Sequence, residues 1–403
     1  MIPDGWAPPP TKVDGRMIVA GELRSLEGRL HFDIDRRQAR ADVSAVIAVS
    51  SPGWPAWDLR QPLLPSAFAH VDLGGGPGAE MRVLDRPLEP GELHRLDLSY
   101  ALDTPGVADP RPIAWGDGTV AFDVWCSDLA PGRYLEQWLP VGLCQDRFSL
   151  TLEIEITGAG EPHTVIANGQ IEGEWRIRWP DHHTSLSSLL VIAPASSLVA
   201  AEAGPVQLTA EAVLALDPVE QAERAAAYIE TYSTRLGAYR HGRHFVAHLW
   251  DSTRGMEYDG AASASVNALE HEVFHSWYGR GIKPATANDG WIDEAITSWA
   301  TGDGTGRLWA VEFPLDQPPV VLAPPSPWSR HTPREAYTIG ARLFADLAWR
   351  TSVDTVLDAL AAYEGSFVST AALQAHLAAS LGIDVAPWWD RYVRGVTPRS
   401  AAS

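Results

Sequence analysis

The sequence predicts an α+β protein, with a β-rich amino-terminal domain over residues 1–208 and a mainly helical domain over residues 209–403. Three observations carry that expectation. At 403 residues the chain exceeds what one ordinary core organises,. From Arg16 to Leu208 it is built of short apolar runs divided by Gly, Pro and Asp clusters at strand-like intervals,. After Pro205 the apolar residues recur at helical spacing instead,.

In the first half, strands are expected at Met17 to Leu23, Arg40 to Val49, Leu93 to Tyr100, Phe148 to Ile156 and Glu174 to Trp179,. Leu150, Leu152, Ile154 and Ile156 alternate with polar residues, the pattern of a strand with one face on a core and one in water,. Sandwiched antiparallel sheets are the expected arrangement. Gly204-Pro205 supplies the break before the helical half,. Helices are expected over Asp217 to Leu236, Val266 to Trp277, Trp291 to Trp299, Gly340 to Arg350 and Ala371 to Ser380,. Pro314 to Pro333 holds seven prolines and little periodicity, so it reads as an extended surface loop,.

Composition narrows the function. Hydrophobic residues at 45% and charged residues at 20% suit a soluble globular chain able to bury sizeable cores,. The net charge of −20 repels phosphate backbones and anionic lipid heads, which argues against nucleic-acid and membrane partners,. The most apolar stretch, Leu186 to Ala203, is broken by Pro194 and several serines and reads as buried strands, not a membrane span,. Met1-Ile2-Pro3-Asp4 lacks the basic segment and apolar run of a secretory signal, so a cytoplasmic location is expected,. Two cysteines, Cys126 and Cys144, are too few for a disulfide framework; two buried thiols are expected, with one bridge between them left open,.

The residues that carry chemistry lie in the helical half. His271-Glu272-Val273-Phe274-His275 sits in a stretch whose apolar residues Val266, Leu269, Val273 and Trp277 recur at helical intervals. A helix burying that stripe projects His271 and His275 side by side, close enough for both imidazoles to reach one tetrahedral cation. Glu272 then stands beside the cation, one residue round, placed to take a proton from water without displacing a ligand. A catalytic zinc site needs three protein ligands and an open fourth position. Glu294, separated from His275 by eighteen residues, supplies the third from a second helix that starts near Asn288-Asp289 and stops at Gly302,. Two His and one Glu leave one zinc ion electrophilic. An isolated HExxH arises by chance in some sequences, and its histidines are then ordinary ones; the third ligand at a workable distance makes coincidence a poor account.

His-Glu-x-x-His followed by eighteen residues and Glu resembles the signature of the gluzincin aminopeptidases, the family of aminopeptidase N and the leukotriene hydrolase. His275-Ser276-Trp277-Tyr278-Gly279 is similar to that family's His-Gln-Trp-Phe-Gly, and Asn288-Asp289-Gly290-Trp291-Ile292-Asp293-Glu294-Ala295 to its Asn-Asp-x-Trp-Leu-Asn-Glu-Gly. Gly255-Met256-Glu257-Tyr258 resembles Gly-x-Met-Glu-Asn, with Tyr258 in place of Asn. The resemblance implies that Gly255, Met256 and Glu257 bind substrate, with Glu257 taking the free α-amine. Without the motif, Glu257 reads as a solvated loop carboxylate. Tyr337-Thr338-Ile339-Gly340-Ala341 resembles Tyr-x-Lys-Gly-Ala, with Ile339 where Lys is usual, which implies that Tyr337 stabilises the oxyanion,. Without that motif, Tyr337 reads as core packing.

The resemblance extends along the chain. Ala167-Asn168-Gly169 matches the family's Ala-Asn-Gly turn, and Gly382-Ile383-Asp384 through Trp388-Trp389 looks like the close of its catalytic domain. It implies a saddle-like β domain followed by a thermolysin-like zinc domain, without the helical-repeat domain of longer members. The implied function is hydrolysis of peptides from the amino terminus by zinc-activated water. Three other readings stay open on the sequence: an endopeptidase or processing peptidase with an open cleft, an inactive member serving as a scaffold, and hydrolysis of a small epoxide or amide. Asp289 and Asp293 are candidate partners for ligand imidazoles, with helix capping the other reading for Asp289. Trp388 and Trp389 are expected in the core, and His182 and His183 in a loop.

Overall fold

The computed structural model describes residues 8–396 apart from 64–67, 75–79, 103–112, 128, 130–134, 143–146, 182–183, 185, 243, 303–308, 327 and 330. Cys144, His182 and His183 lie outside the described residues, so the loop reading of the two histidines and a Cys126–Cys144 bridge do too; Cys126 itself is buried. The chain forms two compact units, Met1–Ala200 with Leu208–Pro218, and Ala201–Gln207 with Val219–Ser403. The division at 208/209 read from the sequence falls inside this exchange of short segments.

In the first unit, a six-stranded sheet runs in the order Gln170–Glu172, Arg176–Trp179, Ser149–Thr157, Glu22–Asp33, Gln38–Ala48, His94–Ala101. A four-stranded sheet orders His163–Ala167, Leu190–Pro194, Thr119–Asp123 and Ala114–Gly116, and a five-stranded one orders Thr11–Val13, Arg16–Ala20, Trp54–Trp57, Met81–Val83 and Ala69–Val71. The alternation in Ser149–Thr157 sets the inward face: Leu150, Leu152 and Ile154 are buried with Leu26, Leu30 and Phe32 in one apolar core,. The expectation of antiparallel sheets needs a correction, because Ser149–Thr157 pairs parallel with Glu22–Asp33, as Arg16–Ala20 does with Trp54–Trp57. Parallel neighbours cannot be joined by a hairpin, and both pairs are formed by strands far apart in sequence.

Asn168 is the polar node of this unit. Its Oδ1 accepts from Trp179 Nε1 at 2.7 Å and from the Leu189 amide at 2.9 Å, while its Nδ2 donates to Ser187 O at 2.7 Å. A Cβ at Gly169 would meet Ile177 at 2.8 Å and the Trp179 ring at 3.0 Å, so only glycine allows the turn to lie this close,. The Ala-Asn-Gly signature thus marks the crossing from His163–Ala167 in one sheet to Gln170–Glu172 in another.

The second unit contains α1 (Pro218–Leu236), α2 (Leu269–Phe274), α3 (Trp291–Thr301), α4 (Ile339–Arg350), α5 (Val353–Ala361), α6 (Thr370–Leu381) and α7 (Ala386–Tyr392). Among its strands, Phe245–Leu249 lies parallel to Ala261–Ala264, which pairs antiparallel with Gly255–Tyr258 across the Asp259-Gly260 turn. The sequence hides these strands, because Ala261-Ala262-Ser263-Ala264 offers neither β-branched residues nor alternation,. α2 is shorter than the expected Val266 to Trp277. After His275 the bonds tighten to Ser276 N–H with Val273 O and Trp277 N–H with Phe274 O, and Gly279 at φ +109° turns the chain away,.

The proline-rich stretch is not simply a surface loop. Phe313, Leu322 and Trp328 are buried, and Asn288 Nδ2 donates to Pro324 O at 2.8 Å and to Ser326 O at 2.6 Å. Trp389 is fully buried, whereas Trp388 donates to Phe313 O and carries the Arg350 guanidinium 4.1 Å over its ring. Among the described residues, no helix is long and apolar enough to cross a membrane.

Candidate metal centre and its surroundings

α2 packs on both α3 and the strand Gly255–Tyr258, and these three elements with the start of α4 hold the candidate site. Every residue of α3 is buried, including Asp293, Glu294, Thr297 and Ser298. A helix buried on all sides is normally apolar throughout, so two enclosed carboxylates on one demand compensating charge.

That compensation converges on Glu294. His271 Nε2 lies 3.1 Å and His275 Nε2 3.6 Å from Glu294 Oε2, and one ligand atom from each residue falls within 4.8 Å of the others. Zinc–ligand bonds of about 2.0–2.2 Å at tetrahedral angles place ligand atoms roughly 3.3–3.6 Å apart, so the trio fits one such ion with little adjustment. His275 Nε2 is buried without a hydrogen-bond partner, while its Nδ1 lies 3.2 Å from Tyr278 O and 3.2 Å from Thr297 Oγ1. A proton on Nδ1 donated to that carbonyl leaves the Nε2 lone pair facing the centre of the trio, as a metal-binding imidazole requires.

The surrounding charges draw positive charge to the same point, as a proton on the imidazole or as a metal ion in its place. Burial lowers the His275 pKa, but the carboxylates of Glu257, Glu294 and Glu272 outweigh it and hold the ring well above the usual range. Burial raises Glu294, yet His275 and His271 keep it well below the ordinary carboxylate range. Asp293 is pushed up, by burial first and then by Glu294. The centre is thus rich in negative charge, which favours a cation.

Glu272 is 5% exposed and lies against the edge strand: a Cβ at Gly255 would come 2.0 Å from its Oε1. Glycine at 255 is therefore what lets the carboxylate lie beside the two helices that carry the trio. Tyr337, on the turn before α4, donates to Glu294 Oε1 at 2.6 Å and lies face to face with His271 at 6.0 Å. α4 approaches α3 closely at Gly340, where a Cβ would meet Ala295 Cβ at 2.6 Å, and that approach brings Tyr337 within reach.

Met256 is buried on the same strand. Glu257 is buried rather than a solvated loop carboxylate; its Oε1 accepts from Arg280 Nη2 at 3.0 Å. With His275 and Asp293 it forms a second group of possible ligands. The Arg280 guanidinium, 3.6 Å from Asp293 Oδ2, already supplies the positive charge there. Asp289 approaches neither imidazole: it closes a capping box with Thr286 and accepts from Thr370 N and Oγ1 at 2.7 and 2.8 Å,.

Arg280, Thr297 and the buried pair Lys283–Asp259 at 2.6 Å are the participants that sequence reasoning missed. Thr297 had a signal, lying three residues past Glu294 on one helix,. Arg280 had only its place between Gly279 and Gly281, just past the His275 turn.

No protein-family model matches the sequence, and no curated protein matches it. Solved structures do. An M1 zinc metallopeptidase from Deinococcus radiodurans superposes with a TM-score of 0.62 at 18% identity, over 94% of this chain and 95% of that one. A variant of it bound to a Tyr-Ser-Ala substrate gives 0.62 at 17% identity, over 94% and 96%. Yeast LTA4 hydrolase gives 0.60 at 11% identity, over 94% of this chain and 69% of that one. At such identities the likeness is one of fold.

Proposed function

We propose that this chain, which has the fold of the M1 zinc metallopeptidases, is a zinc-dependent peptidase that cleaves peptides from the amino terminus. The observation that carries this reading is the convergence of His271, His275 and Glu294 on one point, with Glu272 on the same helical turn. A zinc ion held by these three residues supplies a Lewis acid that polarises a carbonyl and makes water acidic near neutral pH.

The chain's own residues do the rest. Glu272 takes the proton of the attacking water and delivers it to the departing amine. Its carboxylate is fixed for this by the strand edge at Gly255. The Tyr337 hydroxyl, now on Glu294 Oε1, is placed to donate instead to the substrate carbonyl oxygen as that oxygen gains charge,. Glu257, a buried carboxylate on the adjoining strand, has the sign to receive an α-ammonium group,. A peptide as substrate class is supported by the Tyr-Ser-Ala substrate described in the Deinococcus radiodurans relative.

The test is a panel of aminoacyl arylamides with metal content measured alongside. Glu272→Gln retains one zinc per chain and lowers kcat by about 10²–10⁴-fold. Full turnover in Glu272→Gln, or stoichiometric zinc after Glu294→Ala, refutes the assignment. Cleavage of internal bonds with no preference for a free amine leaves the peptidase reading standing and removes the amino-terminal one.

A further inference from the structure

Arg280 is 2% exposed by its side chain, and the turn that carries it is built around two glycines. A Cβ at Gly279 would come 2.7 Å from His275 Nδ1, and one at Gly281 would come 2.2 Å from Ser276 O. The Arg280 amide donates to His275 O at 2.8 Å and the Ile282 amide to Trp277 O at 2.8 Å, closing the loop tightly. The side chain has one course, inward between the strand Gly255–Tyr258 and α3. There Nη2 meets Glu257 Oε1 at 3.0 Å and Asp293 Oδ2 at 3.6 Å. Three residues further on, Lys283 Nζ holds Asp259 Oδ2 at 2.6 Å, so the same loop grips the same hairpin twice.

One guanidinium thus serves two buried acids, Glu257 and Asp293. Without Arg280 the two acids face each other unscreened, and Glu257 loses the contact that fixes its rotamer. With it, Oε1 is occupied and Oε2 is left to a substrate. We propose that Arg280 is the positioning residue for recognition of a free α-ammonium group: by holding Glu257 through one oxygen, it sets the direction and charge of the amine anchor. The proposal rests on the reading above only in taking Glu257 as the amine anchor. The Arg280 guanidinium acts on the site through Glu257 and Asp293, while its amide anchors the turn on the carbonyl of His275.

The experiment compares Arg280→Met and Arg280→Lys with the zinc-loaded parent, using a leucyl arylamide and its N-acetyl counterpart. Arg280→Met lowers the free-to-blocked ratio of kcat/KM by about tenfold, through KM and not kcat, and Arg280→Lys recovers most of that loss. An equal loss on both substrates, or an unchanged ratio in a folded, zinc-loaded variant, overturns the proposal. Should Arg280→Met not fold, Arg280→Lys decides alone: a KM rise confined to the free amine upholds the proposal, and an unchanged or equal KM overturns it. Calorimetry with L-leucinamide and N-acetyl-L-leucinamide reads the anchor without turnover. A parent that binds leucinamide through Arg280 yet cleaves nothing sinks the peptidase reading and keeps this one; a parent indifferent to the amine sinks this one.

Discussion

The two compact units each hold a buried polar node, and the two nodes are built differently. In the β-rich unit, which also buries Asp58 beside Arg60 at 2.7 Å, a set of neutral side chains is answered by backbone: Tyr100 donates to Trp138 O at 2.7 Å, Gln61 to Gln137 O at 2.8 Å, and Asn168 holds two main-chain groups together with the Trp179 indole. In the helical unit, α3 encloses whole charges, and they are answered by other charges, Arg280 on Asp293 and two imidazoles on Glu294. Neutral groups tied to backbone stabilise one conformation and ask for nothing further. Enclosed carboxylates cost more to bury than their partners return unless the set is complete, so a region built this way is organised for chemistry.

Three substitutions probe that contrast. Tyr337→Phe removes a hydroxyl from the charged centre and keeps the ring against His271. On the proposed reading kcat falls about 10²–10³-fold, some 2.7–4 kcal/mol, with zinc content and melting temperature little changed. A loss of stability instead of rate would make Tyr337 a packing residue. Asn168→Ala strips the backbone node of the β unit and leaves the buried Trp179 N–H without its acceptor. It should cost about 2–3 kcal/mol of stability, read by urea unfolding, with the zinc stoichiometry intact. Zinc loss in that variant would show that the two styles of burial are not separable. Ser369→Ala removes the acceptor for Ala372 N–H at 3.1 Å at the start of α6. Being exposed and neutral, this cap should cost only about 1 kcal/mol and leave the charged centre untouched; a larger cost would mean that α6 supports α3 more directly than its cap geometry suggests.

Much of this was legible in the residues, for identifiable reasons. Alternation exposed Ser149–Thr157 because its outer face stays in water, and helical spacing exposed α1, α3, α4 and α6 to within a few residues. His271 and His275 stood out because residues four apart lie side by side on one helix, Glu272 because it adjoins the first of them, and Glu294 because a second helix begins near Asn288-Asp289 just before it,. The hairpin carrying Glu257 was not, since its small buried residues Ala261 to Ala264 carry no periodic signal. Nor was the parallel pairing of Ser149–Thr157 with Glu22–Asp33, which joins segments more than a hundred residues apart. Arg280 was invisible for a further reason: an arginine among glycines reads as solvent-exposed turn, and only the Cβ-free turn on either side drives it inward.

Asn288 fastens the stretch before Tyr337 by gripping Pro324 O and Ser326 O, and the same stretch is tied elsewhere through Leu322 N–H and Ala323 N–H to Val393 O. On the stretch itself, all of these contacts use main-chain atoms: carbonyls, which every amino acid offers, and amides, which all but proline offer. Its outward side chains are thereby released from the duty of holding it in place. A lineage can rewrite them, and with them whatever they touch, at little risk to the architecture underneath.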